Sequence, residues 1–377
     1  MKKILMTGIG DKMGGIESFA TIIVEGLHDQ YDFSFLAATK QKVARQDYFE
    51  SIGVSVYHLK NIFGIKNAFT RTERIYEFLK ENQFDTIHIN ATTLNAIYMI
   101  KAARKLNINV IYHIHNISPS GYGFFAKSIT KFLAAYYRFR MRLFKNVKYI
   151  AVSKDAALAV FGKHIQAKVI VNGINTDRFL FNDSVRKSMR KKFNINDDAK
   201  VGIVIARLMS IKNHAKILDI VEKGLEKNYF DDFFIIGDGP EKDNIQSRIE
   251  GMLPKIKNRI RLCGEREDIP DFLMMSDFML LTSFSEGLSI SVIEAQAAGV
   301  VPIVSKGVPA VTNITDKVVF LDINKPDQYW LKKINSVLLD NYDRKKMNKL
   351  VQLSQFSSQS FLKAIHTIYG VNDENKN

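Results

Sequence analysis

Glu286 and Glu294 are the first residues in this chain whose type and spacing suggest chemistry. Between them runs Gly287-Leu288-Ser289-Ile290-Ser291-Val292-Ile293, which reads as a Ser/Gly-rich loop entering a helix near Ser289. A helix start offers unpaired N–H groups at its positive end, and such an end holds phosphate well. Carboxylates on either side of it could accept hydrogen bonds from sugar hydroxyls, so the segment suits a nucleotide diphosphate. A plainer arrangement fits too, with Glu286 capping the helix and Glu294 in solvent. Arg207 and Lys212 follow the apolar run Val201–Ile205 and could neutralise a diphosphate leaving group, Arg by its planar fork and Lys as a point charge. Taken alone they would also suit an open surface. A departing diphosphate needs preorganised positive charge. The Asp-x-Asp pair that would hold a metal for that purpose occurs nowhere, so neither metal nor cofactor is expected. Paired carboxylates can also mean a glycosidase, but these two lie on one loop–helix unit rather than on opposite walls.

A second candidate is Gly8-Ile9-Gly10-Asp11-Lys12-Met13-Gly14-Gly15. A dinucleotide fingerprint would need Gly or Ala where Met13 stands, and an acidic residue where the next strand ends Ala37-Ala38-Thr39-Lys40. A nicotinamide oxidoreductase is therefore a minor alternative. Gly14-Gly15 could still bring backbone amides close to an anion, or serve only as a flexible turn. With Ile114 between them, His113 and His115 are expected on opposite faces of a strand, His113 in a core or interface. Gly237-Asp238-Gly239-Pro240 reads as a turn.

These residues need elements to hold them at one edge. Short apolar runs at Lys3–Thr7, Asp32–Ala38, Thr86–Ile89, Val110–His115 and Tyr149–Val152 alternate with helical patterns such as Thr70–Glu81. After a polar, basic stretch from Arg186 to Asp198, strands recur at Val201–Ile205, Asp232–Ile236, Ile260–Cys263, Phe278–Leu281 and Val301–Val304. The fold class expected is α/β, with two doubly wound parallel units joined near residues 168–185. A chain of 377 residues with 46% hydrophobic and 25% charged residues suits two globular domains. The helix from Ser357 to Tyr369 carries Phe361, Ala364, Ile365 and Ile368 on a face that needs a partner. One cysteine, Cys263, excludes a disulfide framework and reads as a small buried hydrophobe. No secretion signal and no bilayer-spanning stretch is recognisable, so a cytoplasmic location is expected.

The net charge of +15 is unevenly placed: up to Lys168 there are 24 Lys/Arg against 12 Asp/Glu. Between Asp85 and Asp155 no acidic residue occurs. The stretch from Phe124 to Lys145 joins aromatics to Lys127, Lys131, Arg138, Arg140 and Arg142. A basic helix with apolar bulk suits an anionic membrane surface. The alternative is a helix whose aromatics enter the core, with a solvated basic rim. No nucleic-acid-binding motif appears, and nucleic acid is not expected as a partner.

In order along the chain, Gly14–Glu17, His115-Asn116, Val152-Ser153, Asn172–Phe179, Arg207–Asn213, Gly237–Pro240 and Glu286–Ala295 resemble the retaining family 4 glycosyltransferases of the GT-B fold, in particular bacterial enzymes of capsule and exopolysaccharide assembly. The resemblance covers nearly the whole chain. It implies two Rossmann-like domains facing a cleft: residues 1–170 on the acceptor side, residues 171–355 holding the donor, and a helix and tail at 356–377 crossing back to the first domain. It implies transfer of a hexose or N-acetylhexosamine from a nucleotide diphosphate sugar, UDP-linked, to a lipid-linked saccharide at the inner face of the cell membrane. In that reading Arg207 and Lys212 contact the diphosphate, Gly15 lies beside it, and Glu294 takes the ribose hydroxyls. Glu286 meets the transferred sugar beside the amides of Gly287, Leu288 and Ser289, and His115 faces the reaction centre. Ala206 departs from the glycine usual before the arginine. A sugar-nucleotide epimerase of the same fold remains an alternative.

Overall fold

The structure is a computed structural model that describes residues 1–370 except 13, 38, 40, 60, 61, 63–66, 68 and 116–133. Two compact units emerge, one of residues 1–173 and 358–377, the other Ile174–Ser357. The first holds a seven-stranded sheet in the order β3-β2-β1-β4-β5-β6-β7, formed by Lys2–Ile9 (β1), Tyr31–Ala37 (β2), Ser55–Tyr57 (β3), Thr86–Ala91 (β4), Asn109–Ile114 (β5), Val147–Ala151 (β6) and Lys168–Val169 (β7). The second holds β10-β9-β8-β11-β12-β13, from Val201–Ile205 (β8), Asp232–Ile236 (β9), Ile260–Leu262 (β10), Phe278–Leu281 (β11), Val301–Ser305 (β12) and Val319–Leu321 (β13). Every pairing in both sheets is parallel. Both are Rossmann-like sheets whose order reverses beside β1 and β8, where ligands gather at the carboxyl ends of such strands.

Strand geometry sorts the first core into two. Ile4, Met6, Phe33, Phe35, Ile111 and Ile150 share one face, while Leu5, Leu36, Val110, Tyr112 and Ile114 line the other. The final helix, Ser358–Gly370, belongs to the first unit and buries Phe361, Ile365, Ile368 and Tyr369 in the first of these cores. It lies so close to the helix Gly15–Leu27 that a Cβ on Gly26 would fall 2.3 Å from Leu362. The partner its apolar face needs is thus the N-terminal unit.

In the second unit, the polar, basic stretch from Arg186 to Asp198 begins inside the helix Asp183–Lys192. Its Arg190 is fully buried. That guanidinium donates to the carbonyls of Met275, Asn196, Asp197 and Ala199 and to Asp277 Oδ2 at 2.9 Å. Asp277 also accepts from Arg186 at 2.6 Å and from the Val201 amide at 2.8 Å, tying the helix to the starts of β8 and β11. Removing one member of such a network leaves a buried charge unpaired. Asp277→Ala should therefore lower unfolding free energy by about 3 kcal/mol, read from the urea transition. A midpoint within error of the unmodified chain would show that Asp277 carries no such weight.

Candidate active site

The loops after β8, β9, β11 and β12 meet at one edge of the second sheet. Gly237 and Gly239 have φ of +137° and +156°, and a Cβ on either would lie 2.0 Å from the Ala206 carbonyl oxygen or 2.5 Å from that of Leu208. The loop bearing Arg207 is thereby pressed against the turn after β9. The Leu208 amide donates to Asp238, and that of Glu241 to Leu208. Ala206 itself has ordinary negative φ, so its methyl does not disturb the backbone there. Arg207 is exposed and has no side-chain partner among the described residues.

Lys212 and Glu286 meet across this edge. Lys212 Nζ donates to both oxygens of Glu286, at 2.6 and 2.7 Å, and Ser283 Oγ donates to Oε1 at 2.6 Å. Glu286 therefore does not cap the helix that follows. That helix, Ile290–Ala297, begins at Ser289 with no side-chain cap. The amides of Gly287, Leu288 and Ser289 have no acceptor among the described residues. Gly307 lets the loop after β12 lie under Ser283 and Phe284, since a Cβ there would fall 2.3 Å from the Ser283 oxygen. Glu294, one turn into the helix, is not a solvated carboxylate: burial pushes it up to about 7, with Arg178 opposing the shift. Gln296 anchors the same helix by accepting from Ile314, Thr315 and the Thr315 hydroxyl while donating to Thr312.

The first unit has its own loop cluster. Gly8, at φ +86°, lies where a Cβ would meet the Asn90 carbonyl oxygen at 2.2 Å. Glu17 folds back so that Oε1 accepts from the Gly10 amide at 2.7 Å. Gly15, the first residue of its helix, has open space around its Cβ position. His115 follows β5, with Nε2 2.8 Å from Asn90 Oδ1, and its ring centre is 4.1 Å from that of His113. The expectation of opposite faces is thus wrong. Side chains two apart on a strand share a face, and Ile114 is the residue that points away. His113 Nδ1 lies 3.2 Å from His88 Nε2, and His88 Nδ1 lies 2.7 Å from the Tyr369 hydroxyl on the final helix. Burial pushes His88 and His115 down to about 3 and holds His113 well below its ordinary value.

Lys127 and Lys131 lie outside the described residues, as does Asn116 of the His-Asn pair. Of the other basic candidates, Arg138 turns inward, donating to the Val160 and Ala159 carbonyls at 2.9 and 2.6 Å at the end of the helix Lys154–Phe161. Arg140 reaches the Tyr136 hydroxyl at 3.3 Å, and Arg142 is exposed. Tyr136, Phe139 and Leu143 are also exposed, at helical spacing. Among the described residues no helix is long and apolar enough to cross a membrane.

The fold is thus two Rossmann-like units, the second with a cation–carboxylate pair beside an uncapped helix start. The family model "Glycosyltransferase Family 4" matches residues 13–178 and "Glycosyl transferases group 1" matches residues 185–352. Together they span most of the chain, which belongs to the family 4 glycosyltransferases. The chain is 24% identical to a putative glycosyltransferase, EpsF, of Bacillus subtilis, over 99% of this chain and 97% of that one. It is 26% identical to an Escherichia coli UDP-Gal:alpha-D-GlcNAc-diphosphoundecaprenol alpha-1,3-galactosyltransferase, over 61% of this chain and 60% of that one. Anabaena HepE in complex with UDP and glucose has the same fold, with a TM-score of 0.77 and 18% identity over 99% of this chain and all of that one.

Sequence reasoning gave no role to Asn90 and Arg178, which act on His115 and Glu294 far along the chain, nor to Ser283 and Glu17, whose partners are the nearby Glu286 and Gly10 amide. The histidines give a testable pH dependence. Their folded values lie below the ordinary 6.5, so the unfolded chain binds more protons between pH 6.5 and 3. Stability should be fully present above pH 6.5 and fall as pH drops, by about 2 kcal/mol at pH 5 for each of His88 and His115. Urea titrations at pH 7 and pH 5 read this. Equal midpoints for the unmodified chain and a His88→Phe variant at both pH values would contradict it.

Proposed function

We propose that the chain transfers a hexose or N-acetylhexosamine, with retention of anomeric configuration, from a UDP-linked donor to a lipid-linked saccharide in the assembly of a cell-surface polysaccharide. The observation that carries this is Lys212 held by both oxygens of Glu286 beside the unpaired amides of Gly287–Ser289. A diphosphate entering there meets the amides and the positive helix end, and draws the ammonium of Lys212 from its carboxylate. Arg207, exposed and unpaired, adds the second cation. Glu286, released, accepts from hydroxyls of the donor sugar, and Glu294 from those of the ribose. Charge on the leaving diphosphate is balanced by these fixed groups, so the reaction proposed needs no metal. His115 and Gly15 of the first unit complete the reading, His115 at the transfer centre and Gly15 beside the diphosphate. The UDP in the HepE complexes and the diphosphoundecaprenol in the E. coli relative's name support donor and acceptor class.

The exposed Phe139, Leu143 and Arg142 fit peripheral attachment to the anionic inner face of the membrane.

Three measurements bear on this. Calorimetric affinity for a UDP-sugar should fall about tenfold or more in Lys212→Ala and in Glu294→Ala; unchanged affinity in both would remove the donor site. Because Glu294 titrates at about 7 and its ionised form is the stronger acceptor of hydroxyls, UDP affinity should rise between pH 6 and pH 8, and Glu294→Gln should flatten that rise. Replacing Phe139 and Arg142 by Ser should lower partitioning onto phosphatidylglycerol vesicles about tenfold. Equal partitioning of variant and parent would reject the membrane contact.

A further inference from the structure

The chemistry open to His115 depends on which ring nitrogen carries its proton, and Asn90 decides this. The Thr7 carbonyl can only accept, so the Asn90 atom 3.0 Å from it is the donor Nδ2. Oδ1 then faces His115 and can only accept, so Nε2 of His115, 2.8 Å away, bears the hydrogen. A neutral imidazole has one N–H, which leaves Nδ1 with a bare lone pair. That atom is enclosed and has no partner among the described residues. Phe19 from the adjoining helix and His113 on its own strand pack against the His115 ring, with ring centres 4.7 and 4.1 Å away. No carboxylate among the described residues pairs with it to favour a charged ring.

We infer that Asn90 is a positioning residue that locks His115 in the Nε2–H tautomer, fixing the ring's orientation with its Nδ1 lone pair on the enclosed side. His115 has no spare N–H in this state, so it cannot serve as a general acid from either nitrogen. Asn90 does a second task with the same side chain. Its grip on Thr7 fixes the end of β1 where Gly8 turns, so the glycine loop and His115 are held by one amide. The inference rests on the proposed placement of His115 at the transfer centre only for the expected loss of kcat, and the tautomer itself is independent of it.

The test is long-range proton–nitrogen NMR on the full chain labelled with nitrogen-15 in histidine, with the His115 signals assigned by their loss in His115→Gln. In the unmodified chain at pH 7, His115 should be neutral with its proton on Nε2. Asn90→Asp, which keeps an acceptor at that point, should leave the proton on Nε2. Asn90→Leu should give a mixture of tautomers, and kcat for sugar transfer should fall about tenfold or more. A His115 proton on Nδ1 in the unmodified chain overturns the assignment, and so does an Asn90→Leu spectrum identical to the parent's. Failure of the donor-site reading would appear as unchanged UDP affinity in Lys212→Ala and Glu294→Ala and would leave these spectra as they are.

Discussion

A carboxylate left with 8% of its side-chain surface exposed must find a cation or lose its charge, and Glu286 finds Lys212. The rest of the second unit's loop edge follows from that pairing. Ser283 supplies a hydroxyl to one oxygen, Gly307 lets the neighbouring loop pass beneath, and the helix from Ile290 is left without a cap. The pair thus holds a cation in place without spending the helix amides on protein groups. The open amides need little reorganisation when charge develops on a ligand, which is where electrostatic catalysis draws its strength, and Lys212 has only to turn from a partner close at hand.

The first unit solves a different problem with similar means. Its glycine loop places Gly10 on Glu17 and Gly8 against Asn90, so part of the amide surface is already occupied by the protein's own carboxylate. What remains open is the helix start at Gly15. Beneath it lies an unusual core, three neutral histidines and Phe19, closed by Tyr369 and Phe361 from the final helix. The chain's last helix therefore reaches the same cluster that Asn90 organises, so the packing of a terminal segment and the setting of a candidate site residue are coupled through adjoining rings.

Much of this was legible in the sequence. Runs such as Val201–Ile205 and Phe278–Leu281 gave the strands because buried parallel strands are continuously apolar. Ser289 and Gly299 bracketed a helix because one precedes its first turn and the other, at φ +68°, follows its last. Glu286, Glu294, Arg207 and Lys212 could be named from spacing and family resemblance. The pairing of Lys212 with Glu286 could not, since it spans 74 residues and depends on how two loops meet. β3, β7 and β13 were missed because edge strands of two or three residues carry too little pattern. The polar look of Arg186–Asp198 gave no sign of the buried Arg190, which is held by backbone carbonyls, a kind of partner that composition never shows.

A structure of the chain crystallised with UDP tests the central claim most directly. The expected result has the diphosphate on the amides of Gly287–Ser289, Lys212 turned from Glu286 to a phosphate oxygen, and ribose hydroxyls on Glu294. UDP bound elsewhere, with the Lys212–Glu286 pair still closed, would contradict it.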